Sequence, residues 1–435
     1  MKKILFLTSR LPFPATSGRK ASLYQYGQVL KELGFELVVA SFLEQGDEPS
    51  QVPAFIDKLV VLPPVRKLSK IKNLIFKTCL TGRFPMQVSL FWSRKANAVI
   101  RELIRHEQPD IVIADMVRMT EYLKTADCVK IADLDDLLSI RYQRQLKMDL
   151  SQINPYGAYL SSLPKPVQKV LMNITIKRKV LKRETNLLQK YELETGKFCS
   201  AVVFVAKREA EVYNKLLGRD KAFAVPIGVD TEYFAGPAAN LSMDKNKIAF
   251  LGALNVAHNE TAVIHFVRDI FPLILKRKPD AEYVVVGSGI TDKLKKLASP
   301  NVIFTGRVDD VREYIKQCRV FVCPLTFGSG IKTKNLEAMA MGVALVTSSI
   351  GAENIDGIDG ADYLVADRDE DFAEAVIKVL DDDALCSSLS KNGEQFVKNC
   401  FSLERTKMDF SRLFKILAES CTFTVMTDGK PAGNS

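Results

Sequence analysis

The sequence predicts an α/β protein made of two doubly wound halves, and three observations carry that reading. Short apolar runs alternate with longer amphipathic stretches from Ile4 to Val205, and again from Ile248 to Val365. A hydrophobic period that switches between strand and helix in this way marks βαβ units and parallel sheets. The rhythm is interrupted at Val225-Pro226-Ile227-Gly228-Val229-Asp230, followed by Gly236-Pro237 and a polar stretch to Asn246, which has the composition of a linker. Finally, 435 residues with 47% apolar and 26% charged side chains suit two or three globular domains and exclude collagen-like, coiled-coil and wholly disordered chains.

Taken in order, Ile4–Thr8 reads as the first strand, Ala21–Leu33 as a helix stopped by Gly34, and Leu37–Ser41 as the second strand. Lys58–Leu62, Asp110–Ala114, Val129–Ala132 and Val202–Val205 continue the sheet. The stretch 137–195 breaks the pattern as a basic, mostly helical insertion, with Pro155, Pro164 and Pro166 as interruptions. In the second half Ile248–Leu251, Ala281–Val286, Val302–Phe304, Val320–Val322, Ala344–Thr347 and Tyr363–Val365 are the strands. The domain plan is therefore 1–225, a linker at 226–246, a second domain at 247–401, a helix at 402–420 and a flexible tail at 421–435. Two such sheets facing each other would leave a cleft at their carboxyl edges, where open parallel sheets bind ligands.

No apolar run is long enough to span a bilayer. The start, Met1 to Arg10, lacks the long apolar core and small-residue cleavage site of a signal peptide and reads as a buried strand. The eight Cys are scattered without metal spacing, which fits reduced thiols and a cytoplasmic setting. Charge is uneven: residues 1–240 hold 37 Lys+Arg against 24 Asp+Glu (+13), and residues 241–435 hold 24 against 27 (−3). Between Arg66 and Arg105 ten basic residues stand with one acid, Glu102, among Phe76, Phe84, Phe91 and Trp92. Basic and apolar side chains interleaved in this way suit an anionic membrane surface, nucleic acid, or a solvated face over an ordinary core.

The chemistry concentrates in Cys323 to Gly342. A buried strand ends at Pro324, a Gly328-Ser329-Gly330 loop follows, and a helix begins near Lys332 and stops at Gly342. Glycines let backbone approach a ligand, and a helix start offers unpaired amides and a positive dipole end to an anion. Lys332 adds a point charge for phosphate, and the Glu337 carboxylate can accept two ribose hydroxyls. The plain alternative is a strand–turn–helix with a solvated Lys–Glu face.

This segment, Gly328-Ser329-Gly330-Ile331-Lys332-Thr333-Lys334 with Leu336-Glu337-Ala338-Met339-Ala340, resembles the donor-site motif of glycosyltransferase family 4. Pro226-Ile227-Gly228-Val229-Asp230 is similar to the family's interdomain Pro-Asn-Gly-Val-Asp, and Phe250-Leu251-Gly252, Val286-Gly287-Ser288-Gly289 and Phe304-Thr305-Gly306-Arg307-Val308 follow in family order. Pro12 to Arg19 matches a Gly-containing loop that reaches the donor phosphates. Asn259-Glu260-x-Ala262 and the Gly-Ser-Gly-Ile-Lys form resemble most the transferases of exopolysaccharide and exosortase (PEP-CTERM) systems.

The resemblance implies a GT-B fold, two facing Rossmann-like domains with an interdomain cleft, and a retaining, metal-independent hexosyltransferase of polysaccharide biosynthesis. It implies a nucleotide-diphosphate sugar as donor, no cofactor, and a glycan or lipid-diphosphate-linked acceptor. The donor would meet Gly18, Gly252, Gly287, Ser288, Arg307, Val308, Ser329, Gly330, Ile331, Lys332 and Glu337. The acceptor would meet Arg19, Asp133 and Asp136, the last two in Ile131-Ala132-Asp133-Leu134-Asp135-Asp136 beyond a strand end. Asp133, Asp136, Lys332 and Glu337 are the expected catalytic set, although an Asp in such a place also serves as a loop cap.

Two departures stand out. The family commonly has two Glu separated by seven residues, and here Ser329 holds the first place. Many members carry Arg and Lys after the first strand of the second domain; here Gly252 to Ala257 holds no cation and His258 follows. Lys332 is the candidate replacement. Of the other two His, His106 falls at a charged helix end and His265 in an apolar helical run that suits a packed ring. No Cys/His cluster or spaced acid pair suggests a metal.

Other classes compete. A nicotinamide oxidoreductase lacks its third glycine after Gly287 and Gly289. A nucleotide-sugar epimerase and a non-enzymatic two-lobed sugar- or nucleic-acid-binding protein share the architecture. The reading favoured is a cytoplasmic transferase, peripheral on the inner face of the plasma membrane through its basic N-terminal half, with no nucleic-acid partner.

Overall fold

The computed structural model describes residues 2–15, 18–44, 46–146, 150, 165–237, 243–328 and 330–427. Its strands are β1 (Lys3–Thr8), β2 (Glu36–Ser41), β3 (Lys58–Val61), β4 (Ile111–Asp115), β5 (Val129–Asp135), β6 (Ala201–Phe204), β7 (Ala222–Ala224), β8 (Asp244–Leu251), β9 (Glu282–Val286), β10 (Val302–Gly306), β11 (Cys318–Cys323), β12 (Ala344–Thr347) and β13 (Leu364–Val365). They form two sheets, β3-β2-β1-β4-β5-β6-β7 and β10-β9-β8-β11-β12-β13. Every pairing between these strands is parallel. Both are the two-way wound order of an α/β protein: the chain builds outward from the first strand, then jumps back across it.

The chain divides into one unit of residues 1–225 and 407–435 and another of residues 226–406. In the first unit the central strands are apolar on both faces. Leu5, Leu7, Val38 and Val112 pack on one side, and Ile4, Phe6, Leu37 and Ile113 on the other. Such runs fit strands covered by helices on both faces. The second unit has one continuous core from Val229 to Phe401, centred on Phe250, Val285, Phe321 and Leu345.

Several boundaries differ from the sequence expectation. The stretch 226–246 belongs to the second unit and contains a helix, Thr231–Ala235, whose start is capped by the Asp230 carboxylate accepting from the Tyr233 amide at 2.9 Å. The last helix runs Leu403–Thr427, so 421–427 is helical where a flexible tail was expected. The sequence places no Gly or Pro between Ser402 and Gly429, so nothing stops it there. From Lys407 that helix belongs to the first unit, where Phe410, Leu413 and Leu417 join the core and Phe410 meets the Tyr26 ring edge-on. The tail from 428 lies outside the described residues. Within 137–195 the helices Leu138–Gln145, Lys165–Leu171 and Ile174–Phe198 are described; Pro166, expected as an interruption, stands in the first turn of the second, where no amide donor is lost, and Pro155 and Pro164 lie outside the described residues.

Candidate functional site

Each sheet collects ionisable side chains at the carboxyl ends of its central strands. In the first unit β1 and β4 flank the point where strand order reverses. Asp115 ends β4, and its Oδ2 accepts from the Ser9 amide at 3.1 Å and the Ser9 hydroxyl at 2.7 Å, tying the two strand exits together. Arg19, in the helix Gly18–Glu32, fills the space in front. Its Nε donates to Asp115 at 2.9 Å, Nη1 to Asp135 at 2.9 Å and Nη2 to Asp133 at 2.6 Å. One guanidinium thus serves three carboxylates, with its side chain only 9% exposed.

Asp135 sits at φ 68° as β5 leaves the sheet, a left-handed conformation that Asp tolerates better than most. Burial lifts the Asp133 carboxyl to about 6, with the repulsion of Asp115 and Asp135 opposing the pull of Arg19. Burial also pushes Asp115 up, but Arg19 and the two Ser9 hydrogen bonds outweigh it and hold Asp115 below the usual range. Asp136 is buried and ion-paired with Arg141. Burial raises its carboxyl, and its Oδ1 has no partner among the described residues. Asp133 and Asp136 therefore stand at one strand exit, in separate ion pairs. Gly18 is the exposed first residue of its helix.

In the second unit the reversal lies between β8 and β11. The backbone leaving β8 touches that leaving β9: a Cβ on Gly287 would lie 1.8 Å from the Gly252 carbonyl oxygen. Gly287 is thus required by the approach of the Gly252 backbone, and Gly252 itself by the Asn259 amide, 2.8 Å from where its Cβ would lie. Ser288 and Arg307 are exposed beyond β9 and β10, and Val308 packs on the core. After β11 the chain turns through Gly328 at φ 141° and Gly330 at φ 75°, a left-handed region that favours glycine, while Ile331 packs on the core. Ser329 lies outside the described residues.

The helix after this turn is Thr333–Ala340, with Lys332 at its N-cap. A lysine has no acceptor to offer the first amides, so the helix start keeps its donors for something else. The Lys332 ammonium donates to the Gly330 carbonyl at 2.5 Å, closing the turn. Lys334, half-buried in the first turn, donates to Asn259 Oδ1 and lies 4.4 Å from the centroid of the Phe250 ring. Asn259 in turn donates to the Ala253 carbonyl at 2.9 Å, linking the β8 exit to the helix.

Burial draws the Lys334 ammonium down, and lifts the Glu337 carboxyl to about 7 against the pull of Lys334. Burial and the fields of Lys334 and Lys332 press His258 down to about 4, so His258 is neutral at neutral pH and supplies no cation. The remaining groups are two ammonium charges and a helix start on one side, with a carboxylate one turn further in. That arrangement can hold a diphosphate and the hydroxyls of an attached ribose.

Lys334 and Asn259 were not singled out for these roles from sequence. Both stand in quoted motifs, but what each side chain meets depends on where the helix starts, and it starts at Thr333. His265 hydrogen-bonds Asp369 through Nε2 at 2.8 Å, while its buried Nδ1 has no partner among the described residues, so the ring is packed but only half satisfied. Cys318 and Cys323 are buried within β11. Among the described residues no group of His, Cys, Asp and Glu is disposed to hold a metal ion, and no helix is long and apolar enough to cross a membrane.

Residues 245–382 match the family model described as glycosyl transferases group 1. Over 427 residues the chain is 21% identical to an uncharacterized 44.6 kDa protein in the cps region of Klebsiella pneumoniae, covering 95% of this chain and all of that one. It is 31% identical over 182 residues to phosphatidyl-myo-inositol mannosyltransferase of Mycobacterium tuberculosis; that alignment takes in 39% of this chain and 47% of the mannosyltransferase. Among solved structures, sucrose-phosphate synthase from Thermosynechococcus elongatus superposes with a TM-score of 0.66 at 14% identity, over 97% of this chain and 100% of that one. Anabaena HepE in complex with UDP does so with a TM-score of 0.63 at 13% identity, over 95% and 100%. The match to the group 1 glycosyl transferases thus falls within the second unit, and the whole chain shares the two-sheet α/β fold of these solved glycosyltransferase-like structures.

Proposed function

We propose that this chain is a glycosyltransferase that moves a hexose from a nucleotide-diphosphate sugar to a glycan or lipid-diphosphate-linked acceptor during polysaccharide assembly. The observation that carries the reading is the turn Gly328–Lys334, where a helix start, Lys332 and Lys334 gather positive charge with Glu337 one turn beyond. In the transfer, the bond from the anomeric carbon to the diphosphate oxygen breaks and a bond to an acceptor oxygen forms. The acceptor hydroxyl proton passes to the departing diphosphate, where negative charge grows. Fixed donors and cations in a partly dry site stabilise that charge most, because they need no reorganisation as it appears.

Lys334 and the helix amides take the diphosphate in this reading, Lys332 holds the turn in shape, and Glu337 accepts from the ribose. The two ammonium groups can balance the charge that a divalent cation would otherwise balance, which supports a metal-independent reaction. Retention by same-face displacement is part of this reading, with the Glu337 carboxylate given to the ribose and not to the anomeric carbon. Asp133 and Asp136 would meet acceptor hydroxyls, with Arg19 positioning Asp133 rather than binding phosphate itself. The setting would be the face of a membrane holding the lipid-linked acceptor. The cps-region relative and the UDP held by HepE support the pathway class and the donor class.

The test is a thermal-shift screen against UDP, GDP, ADP and NAD, followed by a mass-spectrometric donor screen with crude bacterial lipid extract as acceptor. One nucleoside diphosphate should raise the melting temperature, NAD should not, and the matching sugar should appear on a lipid product. A shift with NAD alone, or epimerised donor without an acceptor product, would overturn the reading.

A further inference from the structure

The helix Lys67–Asn73 and the π-helical turn Leu74–Leu80 that prolongs it are amphipathic the wrong way round. Their inward face is polar. Asn73 Nδ2 donates to the carbonyls of Ser89 at 3.0 Å and Trp92 at 2.9 Å, and Thr78 and Ser89 share a hydrogen bond of 2.7 Å. Lys77 lies with its ammonium 3.1 Å from the Trp92 ring centroid and 4.6 Å from that of Phe84. The outward face carries an apolar stripe, Leu68 (82% exposed), Ile71, Ile75, Phe76 (53%) and Leu80 (68%), spaced three, four, one and four residues apart and edged by the exposed Lys67 and Lys72. Scattered exposed apolar residues are ordinary, but a continuous stripe on a folded chain marks a surface meant to be covered.

The charge around the stripe says by what. From Arg66 to Arg83 the sequence holds Arg66, Lys67, Lys70, Lys72, Lys77 and Arg83 and no acid. A second copy seated on this surface about a two-fold axis would bring two such cationic sets face to face. A nucleic acid would meet the cations and could stack a base on Phe76, but would leave the four aliphatic side chains in water. An anionic bilayer meets both demands, with acyl boundary for the stripe and phosphate for the rim.

We propose that Leu68, Ile71, Ile75, Phe76 and Leu80 dock this chain on an anionic bilayer, apolar side chains entering at headgroup depth and Arg66, Lys67, Lys72 and Arg83 meeting lipid phosphate. This rests on the membrane setting given above and assigns it to one short element of the first unit. It also accounts for the six-cation run, which the donor and acceptor clusters do not use.

Full-length protein is sedimented with vesicles of phosphatidylcholine alone and of phosphatidylcholine and phosphatidylglycerol in equal parts. The parent should partition onto the mixed vesicles and remain in solution with phosphatidylcholine. Leu68→Ser/Ile75→Ser/Phe76→Ser should weaken the partition about tenfold or more, and Lys67→Gln/Lys72→Gln about thirtyfold at about 1 kcal/mol for each lost charge. Both variants should keep the parent's nucleoside diphosphate affinity, which checks that the fold is intact. Variants that sediment like the parent would overturn the proposal. So would parent binding that ignores phosphatidylglycerol, or a parent dimer in sedimentation velocity that the triple variant dissolves. Vesicle binding through the stripe by a protein that binds no nucleoside diphosphate would uphold the docking surface and sink the donor-site reading instead.

Discussion

The two sheets share one strand order, and each gathers ionisable groups where that order reverses, yet the charge gathered has opposite sign. At the exits of β4 and β5 one cation, Arg19, is shared by Asp115, Asp133 and Asp135. Beyond β8 and β11 two cations, Lys332 and Lys334, stand with one acid, Glu337. Each excess runs against its surroundings, since residues 1–240 are net +13 and residues 241–435 net −3. Topology therefore sets where a ligand is met and a handful of side chains sets which kind, while net charge describes the outer surface. An acid-rich exit suits a hydroxyl-bearing acceptor and a cation-rich one a departing diphosphate.

The sharpest way to break the first half of the comparison is Arg19→Met. It leaves three carboxylates around a buried position without their cation, and breaking a buried ion pair from one side costs about 3–5 kcal/mol. Urea unfolding should report that loss; a change within error would mean the carboxylates do not depend on Arg19. The second half is sharpened by Lys334→Ala. Loss of a charge-assisted contact of about 1.5–3 kcal/mol should lower kcat/KM for the nucleotide sugar about 10- to 100-fold. Unchanged kcat/KM would remove Lys334 from the donor site.

A smaller effect follows from Glu337, whose carboxyl is lifted to about 7 by burial. Its ionised form is the one that accepts from two ribose hydroxyls, so nucleoside diphosphate affinity should rise between pH 6 and pH 8 by about tenfold at most. Glu337→Gln should flatten that rise to what the ligand's own phosphate ionisation contributes; calorimetric titration at several pH values measures both. The smallest concerns Asp133, raised to about 6 in the folded chain. An acid raised on folding binds its proton more tightly in the native state, so its contribution to stability is full below the ordinary Asp range. That contribution is lost as pH climbs from about 4 to about 6. Asp133→Asn should remove that downward slope from the stability–pH curve. A slope identical to the parent's would place the titration elsewhere.

Much of this was legible in the residues. Apolar runs such as Ile4–Leu7 and Val320–Val322 announce buried strands because both faces are covered, and Gly328, Gly330 and Gly342 bracket the turn and helix of the second unit's cationic cluster. β7 was not foreseen, since three residues are too short for any period to show. The Arg19 collar was hidden for a different reason. Its members lie 96 to 116 residues from Arg19 in sequence and meet only because β4 runs beside β1 and β5 beside β4. The inverted helix at 67–80 was visible only as a basic, aromatic stretch; which face turned outward required knowing what Asn73 and Thr78 bond to.

The central claim is that the cationic turn of the second unit holds a diphosphate as it leaves a sugar. The most direct measurement is a calorimetric cycle comparing the nucleoside diphosphate selected by the screen with its monophosphate, on the parent and on Lys334→Ala. The account predicts that the parent prefers the diphosphate by at least about tenfold and that Lys334→Ala removes most of that preference while monophosphate affinity hardly changes. Equal losses for the two ligands, or a preference that survives the substitution, would contradict it.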